Sequence, residues 1–167
     1  GRFVENRPYV PLVIVGATPS GGGTTLENIN LLTGLRRMTF SADGESKDYF
    51  LDAQNIDSDF KPIVKVNDKA VTNFSVNYAE GKITFTEAPE VPLTDGRDNV
   101  SVEFKKTTGG YSDRINKCTL LQVFDNRVFF SGNPDYPNVL YHCSVDDPAY
   151  CSDLDYYNEG LDSAEIK

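Results

Sequence analysis

The sequence predicts an all-β protein: an antiparallel β-sandwich module over residues 1–108, followed by a second β segment over residues 109–167. Three observations carry that expectation. First, apolar and polar residues alternate between Ile63 and Lys106. Phe74, Val76 and Tyr78 stand against Ser75 and Asn77, Ile83 and Phe85 against Thr84 and Thr86, and Val100, Val102 and Phe104 against Ser101, Glu103 and Lys105. Successive side chains of a strand point to opposite faces, so this period predicts a half-buried antiparallel meander. A helix would spread Val100, Val102 and Phe104 over too wide an arc to bury them together. Second, turn signals cut the segments. Asn67-Asp68 tolerates the positive φ of a tight hairpin, and Ala79-Glu80-Gly81-Lys82 turns the chain again. Third, nine Tyr and ten Phe with no Trp suit pleated, half-exposed surfaces better than a thick helical core.

Taken in order, Tyr9-Val10-Pro11-Leu12-Val13-Ile14-Val15, after Phe3 and Val4, predicts an edge or entry strand, because Pro8 and Pro11 cannot donate to a central ladder. Gly16 to Gly23 reads as a loop. A phosphate-binding loop needs Lys and then Ser or Thr after its last Gly, and Gly23 is followed by Thr24 and Thr25. Thr24 and Glu27 have the spacing of a capping box, and Leu26, Ile29, Leu32 and Leu35 form a weak helical stripe ending near Gly34. That predicts a two- to three-turn helix. The alternative is an ordered loop whose Leu31 and Leu32 plug the sandwich. Met38–Ser41 and Tyr49–Leu51 read as short strands about an Asp43-Gly44 turn. The Glu87–Asp98 connection, with Pro89, Pro92 and Asp95-Gly96, reads as a long loop, and Thr107-Thr108-Gly109-Gly110 as a boundary.

Beyond it, Cys118–Phe124, Arg127–Ser131 and Val139–Ser144 predict three strands, the first two joined by an Asp125-Asn126 turn. Asp146–Gly160 reads as acidic, Tyr-rich and irregular. Three short strands with tight turns have the pattern of a propeller blade or of an unfinished sheet, one that further residues complete or that packs on the first module. The chain opens on Gly1 rather than Met, which reads as a piece of a longer protein.

Charge and composition narrow the function classes. A net charge of −9 disfavours a nucleic-acid backbone and an anionic membrane surface, and no apolar run reaches membrane-spanning length. No leader-like stretch opens the chain. Cys118, Cys143 and Cys151 cannot all pair within the chain and read as buried or incidental thiols, with a Cys143–Cys151 bridge as the alternative. His142 is the lone histidine. It alternates with Tyr141 and Cys143, so neither neighbour can share its face as a nucleophile, and a structural role is expected. His142 with Cys143 and Cys151 lacks zinc-site spacing. Asp146, Asp147, Asp153, Asp155, Glu159 and Asp162 read as a solvated acidic run, better suited to calcium than to catalysis but without the EF-hand pattern. No catalytic residue, metal ligand or cofactor is assigned. Asn73-Phe74-Ser75 and Asn99-Val100-Ser101 match the glycosylation pattern at a frequency expected by chance. Tyr136, Tyr141, Tyr150, Tyr156 and Tyr157 form the candidate interaction surface, since Tyr supplies contact area while hydrogen-bonding at its tip.

Two stretches resemble known proteins. Arg127–Tyr141, with Gly132-Asn133-Pro134-Asp135-Tyr136-Pro137-Asn138 at its centre, followed by Asp146-Asp147-Pro148-Ala149-Tyr150, resembles blades of the β-propeller-like structural proteins of tailed bacteriophages and prophages. Val66-Asn67-Asp68-Lys69 through Ile83–Pro89 to Val100–Phe104 is similar to β-sandwich modules of phage tail, baseplate and connector proteins, with Asn67-Asp68 where Asn-Gly is commoner. The resemblance implies a non-enzymatic virion component assembled through contacts with other virion proteins or copies of itself. The runner-up is a carbohydrate-binding or adhesin domain with a glycan partner.

Overall fold

The computed structural model describes residues 7–94, 96–106 and 111–158. The protein is all-β, with mainly antiparallel sheets and one short helix among the described residues. The chain divides into two compact units. One contains residues 11–27 and 35–106, the other residues 7–10, 28–34 and 111–158. The boundary expected at residue 108 lies outside the described residues, as do Phe3, Val4, Asp95, Glu159 and Asp162. The C-terminal unit is discontinuous in sequence, because residues 28–34 fold into it.

The N-terminal unit contains β1 (Leu12–Ala17), β2 (Thr24–Thr25), β3 (Leu35–Phe40), β4 (Asp48–Phe50), β5 (Ile63–Val66), β6 (Lys69–Val71), β7 (Phe74–Asn77), β8 (Lys82–Phe85) and β9 (Val100–Lys105). These form a six-stranded sheet in the order β2-β1-β3-β9-β5-β6 and a three-stranded sheet in the order β4-β8-β7. The expected meander is therefore split. Its first hairpin, β5–β6, and β9 join the larger sheet, while β7–β8 pairs with β4 in the smaller one. Alternation specifies which face of a strand is apolar but not which strand lies beside it, so both pairings satisfy the pattern. Asn67 and Asp68 take positive φ of 48° and 63°, the geometry of the predicted tight turn.

The first strand also departs from expectation. Pro8 and Pro11 precede β1, which pairs antiparallel with β2 and in parallel with β3 instead of forming the edge. The Gly-rich stretch is the turn of the β1–β2 hairpin, with Thr18 and Gly21 exchanging backbone hydrogen bonds of 2.8 and 3.2 Å. At Gly23 (φ +97°) an added Cβ would stand 2.6 Å from the Ile14 side chain. No helix follows. Residues 24–25 are strand, and the Glu27 carboxylate accepts the Leu12 amide at 2.5 Å instead of closing a capping box.

Inward-facing residues of both sheets share one apolar cluster. Met38, Phe40, Val64, Val100, Val102 and Phe104 come from the larger sheet, and Tyr49, Ile83 and Phe85 from the smaller. Tyr49 is fully buried, edge-on to Phe40 (5.3 Å) and Phe85 (5.1 Å). Its hydroxyl has no hydrogen-bond partner among the described residues, and burial, with the Asp43 charge adding to it, pushes its pKa up to about 12. Arg36 also points inward, paired with Asp52 at 3.3 Å and lying over the Phe104 ring.

The C-terminal unit contains α1 (Tyr111–Asn116), β10 (Leu120–Phe124), β11 (Arg127–Ser131), β12 (Val139–His142) and β13 (Tyr156–Asn158). The strands form one antiparallel sheet in chain order. The stretch expected to be irregular thus supplies a fourth strand, pairing Tyr141 with Tyr156 and Val139 with Asn158. Leu31, Ile115, Val139, Tyr141, Cys143 and Cys151 form the core of this unit. Leu31 is a plug, as the loop alternative anticipated, but it packs in this unit and not in the N-terminal one. Buried Asn30 holds its segment in place. Its amide donates to the carbonyls of Tyr9 and Ala149 (both 2.8 Å), and its oxygen accepts the amides of Leu32 and Cys151 (both 3.1 Å). Asn133 plays a similar part at the end of α1, donating to the carbonyls of Asp113 (3.0 Å) and Arg114 (2.7 Å). Cys143 and Cys151 are joined in a buried disulfide, which corrects the expectation of unpaired thiols, and Cys118 is free.

Candidate interaction surface

The exposed feature of the C-terminal unit is β10. The strand reads Leu-Leu-Gln-Val-Phe, and all five residues are exposed. Leu121, Val123 and Phe124 retain 65%, 61% and 71% of their accessible surface. As the first strand in the sheet order, β10 pairs among the described residues only with β11 and there presents an unpaired row of backbone donors and acceptors. A near-continuous apolar run is the pattern of a strand covered on both faces, and an edge exposed to water is ordinarily blunted by charge or proline. β10 has neither. Asp125 and Asn126, at φ of 46° and 57°, close a tight hairpin that projects it beside β11.

The pleat sorts the sheet into two faces. Val128, Phe130, Val139 and Tyr141 point to the core formed with Leu31 and Ile115. On the reverse face, Leu120, Gln122, Phe129, Ser131 and Leu140 line a shallow apolar depression of about 260 Å³, with Leu121 at its rim. His142 is buried there between the rings of Phe129 (5.7 Å) and Tyr157 (5.2 Å). Its Nδ1 lies 3.1 Å from the Cys143 carbonyl and 3.3 Å from an Arg127 guanidinium nitrogen. These contacts place His142 in a packing role. The Cys118 thiol donates to the Arg114 carbonyl, and its pKa is raised by burial.

The five candidate tyrosines occupy three places. Tyr136, Tyr141 and Tyr156 line one cleft of about 220 Å³ with Arg114, Val139 and Asn158. Tyr136 and Tyr156 are partly exposed there, whereas Tyr141 is buried and its pKa is pushed up to about 12 by that burial. The Arg114 guanidinium lies over the Tyr136 ring at 5.9 Å. Tyr157 lies on the reverse face beside His142. Tyr150 packs edge-on to Tyr9 and donates its hydroxyl to the Asn28 carbonyl. Adjacent residues of β13 point to opposite faces, which separates Tyr156 from Tyr157. Of the acidic run, Asp147 caps the Ala149 amide at 2.9 Å. Among the described residues no three His, Cys, Asp or Glu side chains converge as metal ligands would.

Sequence reasoning missed the exposure of β10. The available signal was its near-continuous apolar character, broken only by Gln122, close to a tight turn. The chain matches no known protein family, no curated protein and no solved structure.

Proposed function

We propose that the chain is a non-enzymatic structural module of a phage or prophage virion, part of a tail, baseplate or connector, which assembles by seating another polypeptide along β10. One observation carries the reading: a strand with the residue pattern of a doubly covered strand stands bare at a sheet edge. Covering such a side chain is worth on the order of 1 kcal/mol or more, and the free edge adds main-chain hydrogen bonds to the incoming segment. The likeness of residues 127–150 to blades of phage structural proteins supplies the virion context. The cleft between Tyr136 and Tyr156 favours a second reading, a glycan-binding or adhesin domain, because a planar ring and a nearby guanidinium suit a sugar.

Immunogold labelling of particles induced from the source strain, with antibody against this chain, tests the proposal. Gold at a fixed position on the particle is the expected result. Unlabelled particles, with antigen on cell walls or in the medium, would overturn it in favour of the glycan reading. Leu121→Lys with Val123→Lys is expected to leave the chain folded, since both side chains are already exposed, and to reduce its incorporation into particles.

A further inference from the structure

The N-terminal unit carries a cleft of about 480 Å³ on the side of the larger sheet facing away from its core. Its floor is built by alternation: Arg37 and Thr39 of β3 point outward between inward-facing Arg36, Met38 and Phe40, and Ser101 of β9 lies directly opposite Thr39. The turn residues Asn67 and Asp68 form one wall, and Pro92, Leu93 and Thr94 with Arg97, Asp98 and Asn99 the other. That second wall is pinned. Buried Asn99 accepts the Ala42 amide at 3.0 Å and donates to the Glu90 carbonyl at 2.7 Å. Asp98 accepts the Gly16 amide at 2.7 Å and the Thr39 hydroxyl.

Two guanidinium groups, those of Arg37 and Arg97, line this one cleft. In a chain of net charge −9, neither has a carboxylate or other hydrogen-bond partner among the described residues. Glu103 stands directly across from Arg37 in the ladder, and they form no ion pair. The Arg37 Nε is buried with no acceptor among the described residues, a desolvation cost that a bound acceptor would relieve. Two arginines in a concave site match a carboxylate, which can take two parallel N–H bonds from each fork.

The remaining lining narrows the class. The cleft is far larger than a carboxylate, and Asp68 and Asp98 flank the arginines. Those carboxylates repel a polyanion but accept hydrogen bonds from hydroxyls, while Asn67, Thr94 and Ser101 can donate to or accept from the same groups. Among the described residues no aromatic ring lines the cleft, which leaves a nucleobase without a stacking partner. Leu12, Pro92 and Leu93 offer small apolar surfaces suited to the C–H face of a pyranose.

We propose that this cleft binds a saccharide bearing a single carboxylate, of the uronic-acid class. Arg37 and Arg97 hold the carboxylate, and Asp68, Asp98, Asn67 and Ser101 take its hydroxyls. The site is independent of the reading of β10. The test is a titration of the uniformly ¹⁵N-labelled full chain with galacturonic acid, galactose and acetate, followed by amide shifts. Galacturonic acid is expected to give saturable shifts confined to Thr39, Asn67 and residues 97–101. Galactose, lacking the carboxylate, and acetate, lacking the ring, are expected to bind roughly tenfold more weakly or worse. Arg97→Gln, in an exposed side chain whose loss leaves the spectrum elsewhere intact, and Arg37→Gln are each expected to weaken galacturonic acid by a similar factor. Absence of saturable shifts, equal binding of galactose or acetate, or unaltered affinity in Arg97→Gln would overturn the assignment.

Discussion

Replacing Tyr49 by Phe is expected to stabilise the N-terminal unit. The side chain is fully buried, and its ring contacts Phe40 and Phe85 edge-on, contacts that Phe preserves. Only the hydroxyl is lost, and it has no partner among the described residues. A buried polar group left unmatched costs about 1–3 kcal/mol, so Tyr49→Phe is expected to gain on the order of 1 kcal/mol at neutral pH. Native-state hydrogen exchange at the β8 amides of the intact chain reads that gain as roughly fivefold slower exchange. The same hydroxyl sets an alkaline limit. Its folded pKa, about 12, lies above the ordinary 10.0, so the neutral phenol is favoured by folding. The stabilisation is fully present below pH 10 and is lost as pH rises toward 12, a loss of about 3 kcal/mol. Urea unfolding across pH 9–12 should show that decline in the wild type and a smaller one in Tyr49→Phe. A loss of 1 kcal/mol or more in the variant at neutral pH (roughly the size of one net hydrogen bond) would refute the reasoning, because it would mean the hydroxyl makes a bond in solution.

Other positions should respond in the opposite direction. Gly81 sits at φ +65°, and an added Cβ would stand 1.8 Å from the Ala53 carbonyl oxygen, so Gly81→Ala should cost about 3 kcal/mol or more, read as a lowered urea midpoint. Asn30→Asp keeps the shape but turns two donors into an acceptor facing the Tyr9 and Ala149 carbonyls. It should cost about 2–4 kcal/mol, less in acid where the carboxyl is protonated, as measured by thermal unfolding at pH 4 and pH 7. Cys143→Ser with Cys151→Ser opens a loop of sequence separation 8. It should lower the stability of the C-terminal unit by about 2.5 kcal/mol, seen as faster exchange at the β12 amides.

Most local structure was legible. Strands β5, β7, β8 and β9 lie where alternation placed them, because half-burial on a pleated sheet imposes the period directly, while β3, β4, β11 and β12 overlap segments read as strands, with β3 beginning at Leu35, a residue the helical stripe had claimed. The Asn67-Asp68 and Asp125-Asn126 turns were legible because both residues must take positive φ, and few residue pairs tolerate that. The segment from Thr24 to Gly34 was misleading. Its Leu26, Ile29 and Leu32 spacing fits a helix, but the chain gains more by pairing Thr24 and Thr25 with β1 and sending Leu31 into the C-terminal core. Helix α1 has only six residues, too few to show a periodicity. The tyrosines were identified as a set, yet their division among three sites depends on strand register, which composition does not encode.

The sequence by itself determined the β class, the apolar face of each strand and the hairpin turns, since these follow from side-chain alternation and backbone sterics between near neighbours. Only the tertiary structure decided that β7 and β8 leave the sheet of β5 and β9, that β1 runs parallel to β3, and that Asn30 locks residues 28–34 into the C-terminal unit. The same holds for the cleft that gathers Arg37, Asn67 and Arg97 and for the bare edge of β10. Each of these depends on contacts between residues far apart in the chain. Their free energies are set by three-dimensional packing and by which backbone groups remain unpaired, and no local pattern of residues specifies either.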